Sequence, residues 1–185
     1  MKTIYIIIII AAIIAILITF AVVFYRYFTE KINNILSSLN GAIEECNSKY
    51  KTKHELLLKM IEIIETKYKV ESKVFEDVKS IKEEDLIKKE KTMNKCYKEI
   101  LQIKEDNKKP RELKAFTTSI KNYEDNELHI ISLRTFYNKY TLEYNNILKK
   151  FPCNIISKIN KYSIKTLLEG KEIDQIEYEA VRGEE

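Results

Sequence analysis

The chain has 185 residues, with 32 Lys/Arg against 28 Asp/Glu, two His and a formal net charge of +4. Its three Gly and two Pro fall far below the ordinary ~7% and ~5%, so long helices joined by few tight turns are implied. Three widely spaced cysteines, Cys46, Cys96 and Cys153, argue against a disulfide framework, which takes an even, denser set; a soluble part of only +3 without a compact Arg-rich patch argues against nucleic acid.

The first element is residues 4–24, IYIIIIIAAIIAILITFAVVF, with no charged side chain. At ~1.5 Å per residue this run spans roughly 31 Å, close to the ~30 Å hydrocarbon core of a bilayer. A single segment in lipid satisfies its backbone only as a helix, despite the many isoleucines. A cleaved signal peptide is the competitor. Its apolar stretch is shorter, ~7–15 residues, and ends in a small-x-small site; here Val-Val-Phe-Tyr-Arg follows. An uncleaved single-pass anchor in the cell membrane is therefore predicted, with Tyr25, Tyr27 and Phe28 beside Arg26 as an interfacial belt. Lys2 on one side and Arg26 and Lys31 on the other leave the orientation nearly balanced. The cationic downstream sequence and the free thiols lean it toward a cytoplasmic domain.

Apolar residues then recur at Ile32, Ile35/Leu36, Leu39, Ile43, Cys46, Tyr50, Leu57, Met60/Ile61, Ile64 and Tyr68, the spacing of one helical face. This helix can run directly out of the membrane span. A chain turn is expected within 69–90, with a solvated segment over 79–91. A second helix is expected from about Asp85 to Lys104, carrying Leu86, Met93, Tyr97 and Ile100/Leu101. DNKKP (106–110) breaks it. Another helix begins near Pro110 with Leu113, Phe116 and Ile120, and NYEDNE (122–127) is either a turn or a polar patch within it. Ile130, Leu133, Tyr137, Tyr140, Tyr144, Ile147 and Phe151 form a heptad seam ended by Pro152. A short helix from about Asn154 to Leu168 follows, and then an acidic, disordered tail. Charge separates late in the chain: residues 126–168 hold seven Lys/Arg against two Asp/Glu, and residues 169–185 hold two against seven. That is either a solvated face and a soluble tail or a lean toward anionic lipid or an acidic partner.

No catalytic pattern emerges. His54 and His129 lie in no HExxH arrangement and have no Cys at helical ligand spacing. GxxxxGK, GxGxxG and GxSxG are absent, and no Glu is followed by His three residues on. The sequence predicts no enzyme, no cofactor and no metal site.

One constellation stands out beside the seam. Arg134, Asn138, Thr141 and Asn145 form a polar helical line, and Tyr-Asn occurs twice, seven residues apart (Tyr137-Asn138 and Tyr144-Asn145). Asparagine is a middling helix former, so its repetition on one line implies a partner for the amide. That partner is a neighbouring helix or loop backbone, fixing register, or else another protein. The segment RTFYNKYTLEYNNILKKFPCNII resembles the LemA family signature R-x-x-Y-N-x-x-V-x-x-Y-N-x-x-I-x-x-F-P-x-N. Arg134, Tyr137, Asn138, Tyr144, Asn145, Ile147, Phe151, Pro152 and Asn154 stand at matching places, Ile147 within one position. The order of N-terminal membrane helix and long helix is similar too, so the resemblance covers about residues 30–168. Three features depart from it: there is no Trp near Cys46, Glu55 to Met60 replaces a D-L-I-P-N-L stretch, and the aromatic-Glu ending is absent. The chain is thus identified as a divergent member.

The resemblance implies a membrane-anchored helical bundle with no established enzymatic role, in a setting of membrane proteases and envelope stress. The fold expected is all-α: a short segment 1–3, a transmembrane helix 4–24, an antiparallel up-and-down bundle 25–168 and the acidic tail 169–185. The expected role is a non-enzymatic scaffold whose partners are the lipid bilayer and another membrane or envelope protein. The alternative is a ligand-sensing or signalling adaptor working through a continuous membrane helix. Arg134, Tyr137, Asn138, Thr141, Tyr144, Asn145, Phe151, Pro152 and Asn154 are the candidate interaction or register residues.

Overall fold

A computed structural model describes residues 2–106 and 114–169, and side chains from residue 4 onward. The described elements are all helical: α1 (Lys2–Tyr68), α2 (Lys73–Lys79), a 3-10 turn (Glu83–Asp85), α3 (Glu90–Asp106), α4 (Lys114–Lys149) and α5 (Cys153–Ile159). The DNKKP breaker from residue 107 on, Leu113 and the acidic tail from residue 170 on lie outside the described residues.

α1 is one uninterrupted helix of 67 residues that changes its surroundings partway. Every side chain over 4–24 is exposed, so the run is long and apolar enough to cross a membrane and packs against none of the described protein. From Ile32 onward one face is buried: Ile32, Leu39, Ala42, Cys46, Tyr50, Lys53, Leu57, Met60, Ile61 and Ile64. Steps of three and four keep these residues on one stripe. The helix ends without glycine or proline, because Lys69 adopts the left-handed conformation, φ 53°, that terminates helices. Ser72 then caps α2, its side chain accepting from the Val74 amide at 3.2 Å. His54 joins α1 to α2 through a 2.9 Å contact between its Nε2 and the Val78 carbonyl.

The chain turn expected within 69–90 is present, and two other expectations, the start of α3 and the length of the last helix, are corrected. The segment 79–91 is largely solvent-exposed, with the 3-10 turn inside it and only Leu86 buried, and α3 starts at Glu90 rather than about Asp85. Of the two readings of NYEDNE, the structure has the polar patch, with no turn interrupting α4 there. The helix predicted over 154–168 stops at Ile159, and residues 162–169 follow as an irregular segment. Lys161 (φ 55°) makes the turn that redirects the chain there.

The buried face of α4 is also rotated from the predicted seam. Phe116, Ile120, Tyr123, Ile130, Arg134, Tyr137, Thr141, Tyr144 and Leu148 lie on the covered line, whereas Leu133, Tyr140 and Ile147 are only half-buried and Phe151 is exposed. The polar stripe therefore lies within the core face rather than beside it.

The described residues fall into two compact units. One combines Met1–Gly41 with Tyr137–Leu168; the other is built on Ala42–Phe136. α1 and α4 each contribute to both.

Candidate functional site

The unit built on Ala42–Phe136 encloses a cluster of charges. Lys53 on α1 is fully buried, at 0% exposure. Its Nζ lies 2.7 Å from Asn94 Oδ1, 2.5 Å from Glu127 Oε2 and 3.8 Å from Glu90 Oε1. The rings of Tyr50 and Tyr123 flank it at 5.8 and 5.6 Å to their centroids, within cation–π range. Arg134 on α4, equally buried, donates to both Glu90 oxygens at 2.8 and 3.0 Å and to the Tyr50 hydroxyl at 2.5 Å. Two cations thus face two carboxylates, so the buried set is formally neutral. Around it, Tyr97 stacks on Tyr123 with centroids 4.0 Å apart and donates to Glu124 at 2.8 Å. Asn126 donates to the Lys49 carbonyl at 2.9 Å.

This arrangement engages its charged and polar groups with one another. The Lys53 ammonium is occupied by two carboxylates and an amide oxygen. Burial pushes the neighbouring Cys46 thiol up to about 11, and that of Cys96 to about 12, so both stay protonated at neutral pH and lack the thiolate a nucleophile needs. Burial also raises Tyr50 and Tyr123, keeping their hydroxyls neutral.

The rest of the predicted stripe belongs to the other unit and does different work. Asn138 Nδ2 donates to the Leu168 carbonyl at 2.9 Å while its Oδ1 accepts from the Leu168 amide at 2.8 Å. Asn145 repeats the pattern on Lys165, at 2.8 and 2.9 Å. Each side-chain amide pairs with one residue's N–H and C=O as a neighbouring strand would. The spacing is dictated by geometry. Seven helical residues rise about 10.5 Å, and three residues of extended chain cover about 10 Å, so residues 165 and 168, running antiparallel to α4, meet Asn145 and Asn138 in register.

Between the two asparagines Thr141 is fully buried, and its hydroxyl has no hydrogen-bond partner among the described residues. Tyr137 and Tyr144 are buried beside it. Pro152 follows a cis Phe151–Pro152 bond at the head of α5, and Asn154 lies in the first turn with its Oδ1 buried. Phe151, by contrast, is 77% exposed. The structure therefore divides the predicted stripe: Arg134 joins the ionic cluster, Asn138 and Asn145 hold an extended strap, and Phe151 faces outward.

Sequence reasoning missed Tyr50 as a hydrogen-bond partner, and Lys53, Glu90, Asn94 and Glu127 altogether. A signal was present. Lys53 interrupts the apolar line Cys46, Tyr50, Leu57, Met60 at the helical step, and Glu90 stands one turn before Met93 on the buried line of α3. A lone charge on an apolar stripe needs a buried counter-charge, although spacing does not say which one.

The LemA family model matches residues 42–181, most of the chain. The chain belongs to the LemA family. No curated protein and no solved structure matches it. The family match covers all the residues of the ionic cluster and both strap-holding asparagines, and it begins beyond the apolar N-terminal helix. LemA is not known as an enzyme family.

Proposed function

We propose that this LemA protein is a non-enzymatic, single-pass scaffold of the cell membrane, presenting a helical module to another membrane or envelope protein in the setting of membrane protein quality control or envelope stress. The observation that carries the reading is the division within α1: an entirely outward-facing apolar run over 4–24, continuing into a helix whose buried face is filled and whose buried charges are paired. Such a construction favours display over chemistry. The cationic sequence downstream of the span and the free thiols Cys46, Cys96 and Cys153 support a cytoplasmic placement of the module. Within the module, the polar stripe serves as a register device: Arg134 fixes α4 against Glu90 and Tyr50, and the asparagines fix the strap.

The test is site-specific photocrosslinking in cells with the full chain, the photoreactive group replacing exposed residues such as Leu128 and Leu142. Discrete adducts with a membrane or envelope protein are expected. Adducts only with lipid or with itself at every exposed position would overturn the scaffold reading.

The continuity of α1 favours a second reading, an adaptor that passes a change along the membrane helix. Prolines at Phe28 and Thr29 interrupt the helix without touching the span. A variant carrying them that keeps full function excludes this reading and leaves the span as a tether.

A further inference from the structure

A second contact with the bilayer is written into the unit that contains the apolar helix. Asn160, at the end of α5, accepts a hydrogen bond from the Tyr25 hydroxyl at 2.7 Å and reaches Thr29 Oγ1 at 3.5 Å. Tyr25 directly follows the apolar run, and Thr29 lies five residues beyond it, about 7.5 Å along the helix. The headgroup layer on each side of the hydrocarbon is roughly 5–8 Å thick. Asn160 is therefore held at headgroup depth. Tyr162, just past α5, donates to Asn33 Oδ1 on α1 at 2.5 Å, so the end of α5 is held beside the membrane-proximal turns by a second contact.

The outward side of this corner is apolar and basic. Phe151 is 77% exposed, Ile155 50% and Ile159 62%; Ile155 and Ile159 are one helical turn apart and share a face. Lys149, Lys150, Lys158 and Lys161 are exposed around them. From Tyr144 to Leu168 there are five lysines and no acidic residue. Bulky apolar side chains rimmed by lysines at headgroup depth are the composition of an interfacial membrane-docking surface.

We propose that the corner 149–161 docks on an anionic bilayer surface, with Phe151, Ile155 and Ile159 entering the boundary between headgroups and acyl chains and the four lysines meeting lipid phosphates. The surface rests on the reading of residues 4–24 as a membrane span. Its effect is to fix the unit against the membrane at two places, the span and the corner, so that the strap held by Asn138 and Asn145 leaves from a defined depth.

The chain contains no tryptophan, so single-Trp reporters are unambiguous. Full-length Ile159→Trp, Leu17→Trp and Leu167→Trp are each reconstituted into phosphatidylcholine vesicles with and without phosphatidylglycerol, using acyl-chain-brominated lipid as quencher. Ile159→Trp should lose emission roughly twofold or more in anionic vesicles and emit to the blue of its position in detergent. Replacing Lys150, Lys158 and Lys161 by Gln should remove most of that loss. Leu17→Trp should be quenched in both vesicle types, and Leu167→Trp, beside the Leu168–Asn138 pair, in neither. If Leu17→Trp is quenched while Ile159→Trp stays open to acrylamide, the docking surface is overturned and the anchor stands. If Leu17→Trp is not quenched, the anchor itself fails and the docking surface with it.

Discussion

Within the unit built on Ala42–Phe136, the buried polar side chains include two full charges, Lys53 and Arg134; within the unit combining Met1–Gly41 with Tyr137–Leu168 they are all neutral, and the amides of Asn138 and half-buried Asn145 carry the hydrogen bonds. The two solutions have different energetics. A buried ammonium such as Lys53 loses its hydration and regains it only from Glu127, Glu90 and Asn94, so the net gain of the set is small and the penalty for an incomplete set is large. Asn138 and Asn145 lose far less on burial. Each recovers two ordinary hydrogen bonds, worth about 0.5–1.5 kcal/mol apiece. Charge thus makes the first cluster intolerant of partial change, while the amides give graded, local control over one segment of backbone.

The contrast can be broken most sharply at Lys53. Lys53→Met leaves the half-buried Glu127 without its cation and should cost up to about 3 kcal/mol, the lower end of the range for a fully buried pair, read by urea denaturation of the full chain in detergent. Adding Glu127→Leu should restore a large part of the loss, because Arg134 and Glu90 still balance each other. A double variant as unstable as the sum of the two singles would show that packing, rather than unpaired charge, governs the site.

Asn145→Ala and Asn138→Ala should each cost about 1–3 kcal/mol, and locally. Hydrogen exchange of the Lys165 and Leu168 amides should accelerate while the α3 amides keep their protection. Asn138→Asp makes the comparison finer: it still accepts from the Leu168 N–H but turns a carboxylate oxygen toward the Leu168 carbonyl, so the Leu168 amide should exchange at least as fast as in Asn138→Ala. If the α3 amides accelerate equally, the strap is no local device.

The smallest effect lies at alkaline pH. Burial raises Cys46 from 9.0 to about 11 and Cys96 from 9.0 to about 12. A raised folded value means the native state holds its proton more tightly. The associated stability is complete below pH 9 and is lost as pH climbs through the folded values. Thermal midpoints followed by far-UV circular dichroism should therefore fall between about pH 9 and 12, and Cys46→Ala should flatten part of that fall.

Much of this fold is legible from periodicity. The apolar run of α1, its later stripe and the long helical pattern of α4 each state their secondary structure locally, because a helix repeats the same geometry every turn. The rotation of the α4 face was not legible in the same way. Hydrophobicity ranked Leu133, Tyr140 and Ile147 above Arg134 and Thr141, yet the fold buries the polar pair, since Glu90 and Tyr50 supply what Arg134 needs. The end of α5 was hidden for a related reason. Ile164, Leu167 and Leu168 continue a helical spacing, but two hydrogen bonds from each of two asparagines on another helix favour an extended backbone there.

By itself, then, the sequence determined an all-helical chain of the LemA family with one helix fit to span a bilayer, and it marked Asn138 and Asn145 as side chains in need of partners. Which partners they take, which carboxylates answer Lys53 and Arg134, and how the corner around Ile159 comes to lie beside Tyr25 were decided only by the tertiary structure. Helical periodicity is set by neighbours three and four residues away, whereas these pairings join residues 20 to 135 positions apart and exist only once the helices have met.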